Sequence, residues 1–256
     1  MPALLVAAVL VACAVAELAL SEKAEATFPG KNGKIAYWRN EPSSNIYTIY
    51  PGGRGRAQLT HNGGWPSYSP DGKQIVYQAY DGGYDSELYT INAGGGGRVQ
   101  LTNNNGDDFT PSYSPDGKKI IYVGDPPPDS RIYESEIYMI NVGGGGKVQL
   151  TNNNKDDLWP TYSPNGKRFA YSSYDRNYNE QIYTKIVGGG GKVQITHDNM
   201  DHEFPDYSPD GKKIAYEATD GKNDEEIYTI NVGGGGAFNV TDNNTPDYGP
   251  SWGSRP

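Results

Sequence analysis

The sequence Pro-Ser-Tyr-Ser-Pro-Asp-Gly-Lys-Gln-Ile-Val-Tyr at residues 66–77 decides the fold, because its central part is repeated along the chain. The hexapeptide Tyr-Ser-Pro-Asp-Gly-Lys of residues 68–73 returns at 113–118 and 207–212, and with Asn in place of Asp at 162–167. Successive copies are 45, 49 and 45 residues apart. A repeat of this length indicates an array of similar structural units.

Each unit is predicted to contain four short strands. The hexapeptide is followed by an apolar run ending in Tyr, a second run containing Ile-Tyr or Leu-Tyr, a tetraglycine, and a third run ending in Thr. Such runs of Ile, Val, Thr and Tyr between turn residues are typical of strands joined by tight turns. In Ser-Pro-Asp-Gly the Pro presets φ for the turn and Gly suits its exit. Four strands in about 45 residues match one blade of a β-propeller.

The strand count predicts an all-β fold, namely a five-bladed β-propeller of four-stranded antiparallel blades. Each strand type has its own marker residue, and each marker occurs five times. The N-terminal copy lacks a first strand, whereas the C-terminus supplies one extra at Trp252. We therefore expect the C-terminal strand to join the N-terminal blade and close the ring. The predicted blades are residues 31–61 with 250–256, 65–105, 110–154, 159–199 and 204–244.

The N-terminal segment is predicted to direct export. Residues 3–16 are strongly hydrophobic but too short to span a bilayer. They resemble the apolar region of a signal peptide, with small-residue cleavage patterns at 14–16 and 24–26. We therefore divide the chain into a signal peptide, 1–26, and a propeller, 27–256, and expect an extracytoplasmic protein: secreted, periplasmic or on the cell surface. Leu-Val-Ala-Cys ending at Cys13 also resembles a lipobox, in which Cys13 would carry a lipid anchor.

The repeat resembles a known family. Pro-Ser-Tyr-Ser-Pro-Asp-Gly-Lys-Lys-Ile, followed by Glu-Ile-Tyr-x-Ile-Asn, a Gly-rich turn and Leu-Thr, is similar to the WD40-like (PD40) repeat of TolB-like β-propellers. The similarity extends over nearly all of residues 29–256. It differs from TolB itself in having no α/β domain before the propeller and five predicted blades in place of six. The resemblance implies an extracytoplasmic propeller that binds another molecule, and it does not imply an enzyme.

Charge limits the classes of partner. With 22 Lys and Arg against 31 Asp and Glu, the net charge of −9 argues against nucleic acid as a partner. The single Cys excludes a disulfide framework, and no membrane span is expected.

Antiparallel topology sorts the loops onto two faces. The turns between first and second and between third and fourth strands form a face rich in Lys and Arg, the basic face. The hairpins between second and third strands and the blade-to-blade connections form an acid-rich face, the acidic face.

Acidic residues at two repeated positions are the candidate site. Three positions before each repeated Pro stand Asp108, Asp157, His202 and Asp247, and four positions before it stand Asp107, Asp156 and Asp201. We expect these residues to converge around the channel mouth on the acidic face. Three roles remain open: capping of local backbone N–H groups, docking of a basic partner, or binding of a metal. Asp108, Asp157, His202 and Asp247 are the candidate ligands for Ca²⁺ or another divalent cation, and no other cofactor is expected.

Three functional classes follow from these features. We favour a non-catalytic binding propeller that docks a protein or peptide through the acidic face and channel mouth. The first alternative is a lectin-like propeller that binds carbohydrate through loop tyrosines. These are Tyr80, Tyr84, Tyr133, Tyr174, Tyr178 and Tyr248. The second alternative, a metal-assisted lyase or hydrolase, has weaker support, because similar propellers that carry such sites converge more histidines than the single His202. Nucleophilic catalysis also lacks support, because His61 and His197 have no Ser or Cys partner at a recognisable nucleophile elbow.

Overall fold

The computed structural model describes residues 24–25, 33–40, 44–80, 82, 85–126, 134–219, 224–243 and 245–252. Every regular secondary-structure element in this part of the chain is a β-strand, and the strands form five four-stranded antiparallel sheets. The all-β class and the five antiparallel blades are therefore confirmed. Within these residues no helix is long and apolar enough to cross a membrane.

The four strands of each blade follow one another in the sheet in chain order. Strands β1 to β20, grouped by blade, are Ala24–Glu25, Ile35–Asn40, Ser44–Ile49 and Ala57–Gln58; Gly64–Tyr68, Gln74–Tyr80, Ser86–Asn92 and Val99–Gln100; Asp108–Tyr113, Lys119–Gly124, Glu136–Asn141 and Val148–Gln149; Asp157–Tyr162, Arg168–Tyr174, Glu180–Ile186 and Val193–Gln194; His202–Tyr207, Lys213–Thr219, Glu225–Asn231 and Phe238–Asn239.

The repeated hexapeptide forms the corner between the first two strands of a blade. In the third blade the Ser114 hydroxyl donates to Asp116 Oδ1 at 2.6 Å, and Asp116 Oδ1 also accepts from the backbone N–H of Lys118 at 3.1 Å. Gly117 leaves the turn at φ +68°, a left-handed conformation that glycine adopts without strain. In the fourth blade Asn165 accepts from Lys167 N–H in the same way, which explains why Asn can replace Asp in the motif.

The core lies between neighbouring blades. Val76 and Leu88 of the second blade pack in one cluster with Ile120 and Tyr122 of the third. The second-strand tyrosines are fully buried, and Tyr122 stacks on Tyr138 with ring centroids 5.8 Å apart. Burial of such aromatic side chains stabilises each blade only when its neighbour is present, as expected for a repeat array.

The closing strand differs from the prediction. The first strand of the N-terminal blade is Ala24–Glu25, which pairs with Ile35–Asn40, and the C-terminal residues 245–252 form no strand. The C-terminal segment instead contacts the last blade, where the backbone N–H of Trp252 donates to Asp206 Oδ2 at 2.7 Å. A short local hairpin also costs less loop-closure entropy than a pairing between the chain ends, which favours the observed arrangement.

Most of the predicted signal peptide, including Cys13, lies outside the described residues, as do residues 253–256. The predicted boundary at residue 26 falls just after the strand Ala24–Glu25, so this strand belongs to the sequence that cleavage there would remove.

Candidate functional site

The first strands of the second to fifth blades surround a cavity of about 90 Å³ on the propeller axis. Each of these four blades contributes residues at or beside its repeated Pro, and the C-terminal segment supplies the fifth contribution through Pro250 and Ser251. The wall of the cavity includes Trp65, Ser67, Thr110, Ser112, Trp159, Thr161, Phe204 and Asp206. The cavity is therefore lined by aromatic rings, hydroxyl groups and one carboxylate.

Three aromatic side chains from three blades meet at the axis. Trp65 lies 5.0 Å from Trp159 and 6.1 Å from Phe204 between ring centroids, and Trp159 lies 4.1 Å from Phe204. Trp38 of the N-terminal blade extends this group, with its ring centroid 5.7 Å from that of Trp65. We call Trp65, Trp159 and Phe204 the axial aromatic cluster. All three rings are only partly buried, so the cluster presents aromatic surface to the axis.

A repeated backbone distortion places the cluster. Trp65, Thr110, Trp159 and Phe204 each precede a repeated Pro and have φ of 53°, 49°, 55° and 49°. The pairing of the first and second strands shifts register at the same place in their blades. Left-handed backbone at a non-glycine residue costs of the order of 1–3 kcal/mol and recurs at functional sites. In the third blade the Gln78 side chain of the preceding blade accepts from Thr110 N–H at 2.9 Å.

The structure does not bring the four candidate metal ligands together. Asp108, Asp157 and His202 are buried, and each is hydrogen-bonded to a residue of the connection that precedes its strand. An Asn side chain donates to Asp108, Asp157 and Asp247 at 2.7, 2.7 and 2.6 Å, and His202 Nε2 lies 2.7 Å from Asp198 Oδ1. The described residues contain no group of three His, Cys, Asp or Glu that could hold a metal ion. The described residues therefore give no support to the metal role, and docking of a partner at these residues stays a prediction.

Each buried aspartate is instead tied to the preceding blade through an Asn of the connecting segment. Glu87 Oε1 accepts from Asn104 N–H at 2.5 Å, and the Asn104 side chain donates to Asp108 Oδ2. Glu136, Asn153 and Asp157 repeat the arrangement in the next blade. Burial raises the pKa of Asp108 to about 7, with the charge of Glu87 adding to the shift. Burial likewise raises the pKa of Asp157 and lowers that of His202.

The second set of aspartates caps the strands of the preceding blade. Asp107, Asp156 and Asp201 accept from the backbone N–H groups of Ser86, Ser135 and Glu180 at 2.5, 2.8 and 2.7 Å, each through Oδ1. Asp107 and Asp156 are partly exposed and Asp201 is exposed. These three side chains lie on the acidic face, where the first strands begin and the third strands begin. Oδ1 of each residue therefore caps a backbone N–H group, which is one of the three roles that the sequence left open.

A pair of glutamates adjoins the aromatic cluster. Glu180 is buried, accepts from the Ser172 hydroxyl at 3.0 Å and faces Glu203, the residue before Phe204. Burial and the neighbouring Glu203 raise the pKa of Glu180 to about 8. The negative charge of Glu180 in turn raises the pKa of Tyr174. The raised pKa keeps Glu180 mostly protonated at neutral pH.

Sequence reasoning missed both the aromatic cluster and the glutamate pair. The position before the repeated Pro is occupied by Trp65, Thr110, Trp159, Phe204 and Gly249. Three aromatics at one repeat position in a closed ring was the pattern that could have revealed the cluster, because equivalent positions of all blades face one axis. The glutamate pair had no such pattern, since Glu180 and Glu203 occupy different positions in their units.

Some charges of the basic face have a structural role. Arg98, Lys147 and Lys192 follow the tetraglycines and lie over the rings of Tyr89, Tyr138 and Tyr183 at 3.8, 4.2 and 4.2 Å from the centroids. Cation–π contacts of this kind stabilise exposed sites by about 0.5–1 kcal/mol. They fix these three bases against their own blades.

The comparisons with known proteins agree with this architecture. The family model of the TolB β-propeller domain (PD40) matches residues 27–136 and 130–255. The chain therefore belongs to the TolB β-propeller family. A comparison with curated protein sequences gives no match.

Solved structures show the same fold. TolB from Acinetobacter baumannii is 25% identical with a TM-score of 0.77, and the similarity covers 92% of this chain and 57% of that one. A TolB from Agrobacterium tumefaciens is 22% identical with a TM-score of 0.70, covering 85% and 80% of the two chains. An oligogalacturonate lyase in complex with manganese is 14% identical with a TM-score of 0.63, covering 81% and 62%. The last two likenesses show the fold alone, and the chain spans 57% of the Acinetobacter TolB.

Proposed function

We propose that this chain is a non-catalytic, extracytoplasmic binding propeller that docks a basic protein or peptide at the axis on its acidic face. The observation that carries the proposal is the axial aromatic cluster, because three blades contribute one partly exposed ring each to a single point. The left-handed backbone of these residues, a strained conformation that clusters at functional sites, adds to this argument.

The chemistry around the cluster selects a cationic group. Trp is the best aromatic partner for a Lys or Arg side chain, and such a contact gains about 2 kcal/mol or more when it is desolvated. Glu203 stands beside Phe204, and Asp206 lies in the cavity wall. Asp107, Asp156 and Asp201 add charge on the same face. Carboxylates gathered on one face raise the rate of encounter with a basic segment, and this effect weakens as salt is added.

Membership of the TolB β-propeller family supports a role in protein binding. The signal-peptide pattern of residues 1–26 supports export. The exported protein can be free or attached to lipid at Cys13, and the mass of the mature N-terminus distinguishes these two forms. The chain's likeness to an oligogalacturonate lyase supplies no catalytic residues, because identity at that level carries only the fold. We therefore propose no enzymatic activity and no resident metal.

Binding is tested with a short Lys-rich peptide, followed by tryptophan fluorescence and calorimetry. We expect binding that weakens with salt and that falls at least about tenfold in Trp159→Ala, which corresponds to roughly 1.4 kcal/mol. The double variant Asp156→Asn, Asp201→Asn keeps an oxygen for each backbone cap but removes two charges, and it should also bind more weakly.

The matched control removes two charges from the other face. Asp116→Asn, Asp210→Asn reproduces the residue that Asn165 already supplies in the fourth blade, so its turns remain capped. This control should bind as the parent does. No binding by the parent, or an equal loss in the control, would refute docking on the acidic face.

A second candidate, carbohydrate binding, is favoured by one observation. Tyr80, Tyr178 and Tyr248 are 62%, 84% and 65% exposed, which is unusual for aromatic side chains and suits stacking against sugar rings. Tyr84 and Tyr133 lie outside the described residues, and Tyr174 is half-buried. Binding to a glycan array that is lost in Tyr178→Ala but retained in Trp159→Ala would establish this function in place of peptide docking.

A further inference from the structure

The C-terminal residues follow the path by which every later blade begins. Gly249 has φ 53°, the conformation of Thr110 at the same repeat position. Its N–H donates to Glu217 Oε2 of the preceding blade at 2.9 Å, just as Thr110 N–H donates to Gln78 at 2.9 Å. The segment therefore carries the backbone distortion and the cross-blade bond of a first strand.

Two more contacts extend the match toward the N-terminal side of this segment. Asp247 N–H donates to the carbonyl of Glu225 at 2.7 Å, as Asp157 N–H donates to the carbonyl of Ser135 at 2.9 Å. The Asn243 side chain donates to Asp247, repeating the Asn–Asp contact of the other blades. Pro250 and Ser251 then complete the wall of the axial cavity. Asn243 and residues 245–252 thus make the contacts of a first strand but do not pair with a second strand.

The repeat shows which second strand the C-terminal segment would pair with. In the second blade Ser67 pairs with Val76, and Val76 in turn pairs with Thr90. The equivalent pair in the N-terminal blade is Ala36 with Thr48, so Ser251 in the same register would pair with Ala36. Ala36 is instead paired with Glu25. The edge of one strand accepts one neighbour, because each of its backbone groups on that side makes one ladder bond.

We infer that the strand Ala24–Glu25 and the C-terminal segment 250–252 are alternative occupants of the same edge of Ile35–Asn40, and that loss of residues 1–26 transfers this edge to the C-terminal segment. While the leader is attached, its strand has the advantage of a short connection to its partner. Once it is removed, the edge is open and the C-terminal segment is already shaped to fill it. Cleavage of the leader thus completes the ring.

The exchange is tested by cross-linking in the full chain, with Cys13→Ser to remove the native thiol. Cysteines replace Ala36 and Ser251, and a short thiol-to-thiol reagent reports their proximity on the monomer. The pair Ser67→Cys, Val76→Cys has the same register in a blade that does pair and serves as the positive control. Ala24→Pro with Glu25→Pro opens the edge, because proline cannot donate to a ladder.

Linking of the 36–251 pair should rise several-fold when the two prolines are introduced, and also in a chain that begins at Thr27. The control pair should link equally in all three chains. Equal linking of the 36–251 pair with and without the prolines, or linking in none while the control links, would overturn the exchange.

A melting experiment gives a second readout that needs no cysteines. Deletion of residues 251–256 should lower the melting temperature by several degrees in the chain that begins at Thr27 and leave the full chain nearly unchanged. The same loss in both chains, or in neither, would show that the leader does not compete for this edge.

Discussion

The glutamate pair beside the axial aromatic cluster should make the protein less stable as the pH rises. Glu180 has a pKa of about 8 in the folded protein against an ordinary value of 4.5. Between these values the folded state binds a proton that the unfolded state has lost, so the free energy of unfolding falls as pH increases. The stabilisation from this group is fully present below pH 4.5 and is lost as the pH passes about 8.

Glu180 contributes at most one proton to this pH dependence of the free energy of unfolding. A full proton of difference changes the free energy of unfolding by about 1.4 kcal/mol per pH unit. With about 2 to 4 °C per kcal/mol for domains of 150–250 residues, the melting temperature should fall by roughly 3 to 5 °C per unit in this window. Glu203→Gln replaces the neighbouring charge with an amide that can donate to ionised Glu180. The slope of melting temperature against pH between 5 and 8 should therefore flatten in this variant.

Calorimetric melting at half-unit steps of pH measures both slopes. Ser172→Ala removes a hydroxyl that donates to Glu180 and should extend the decline to higher pH. Asp116→Asn makes the same change of charge on the basic face, where hydrogen bonds from Ser114 and Lys118 lower the pKa of Asp116, so it should leave the slope above pH 5 unaltered. Asp108 and Asp157, whose pKa values burial raises, add slopes of the same sign as Glu180, and His202, whose pKa is lowered, adds a slope of opposite sign. These contributions are common to the parent and all variants. Identical slopes in the parent and Glu203→Gln would refute the coupling of the two glutamates.

Two further predictions concern the scaffold. Thr151→Val should lower the free energy of unfolding by about 1–3 kcal/mol, because the Ile137 N–H that donates to its buried hydroxyl at 2.8 Å loses its acceptor; Thr151→Ser keeps the hydroxyl, and urea unfolding should show it to be the more stable of the two. Gly117→Ala should cost about 1 kcal/mol through its left-handed φ of +68°, whereas Gly143→Ala, where a methyl group meets nothing within 4 Å and φ is not left-handed, should be nearly neutral in the same assay. Equal stability within either pair would contradict these assignments.

The repeat made the fold predictable, since the spacing of hexapeptides, tyrosines and tetraglycines specifies four strands per blade without any knowledge of long-range contacts. The contacts of Asp108, Asp157, His202 and Asp247 could not be predicted from the sequence, for a physical reason. Equivalent positions of a propeller are related by rotation, but each of these side chains is hydrogen-bonded to the residue four positions earlier, in the connection from the preceding blade: an Asn for the three aspartates and Asp198 for His202. The closing strand was misjudged because a two-residue pairing leaves no mark in composition or periodicity.

At the left-handed position before each repeated Pro, the backbone conformation does not depend on which side chain is present. That conformation is the same whether the side chain is Trp65, Thr110, Phe204 or the hydrogen atom of Gly249. The scaffold therefore places no size requirement on these side chains, and substitution there alters what the axis presents without disturbing the blades. Four such positions, one in each of the second to fifth blades, line one cavity, and they can be randomised together in a library to select propellers for new ligands.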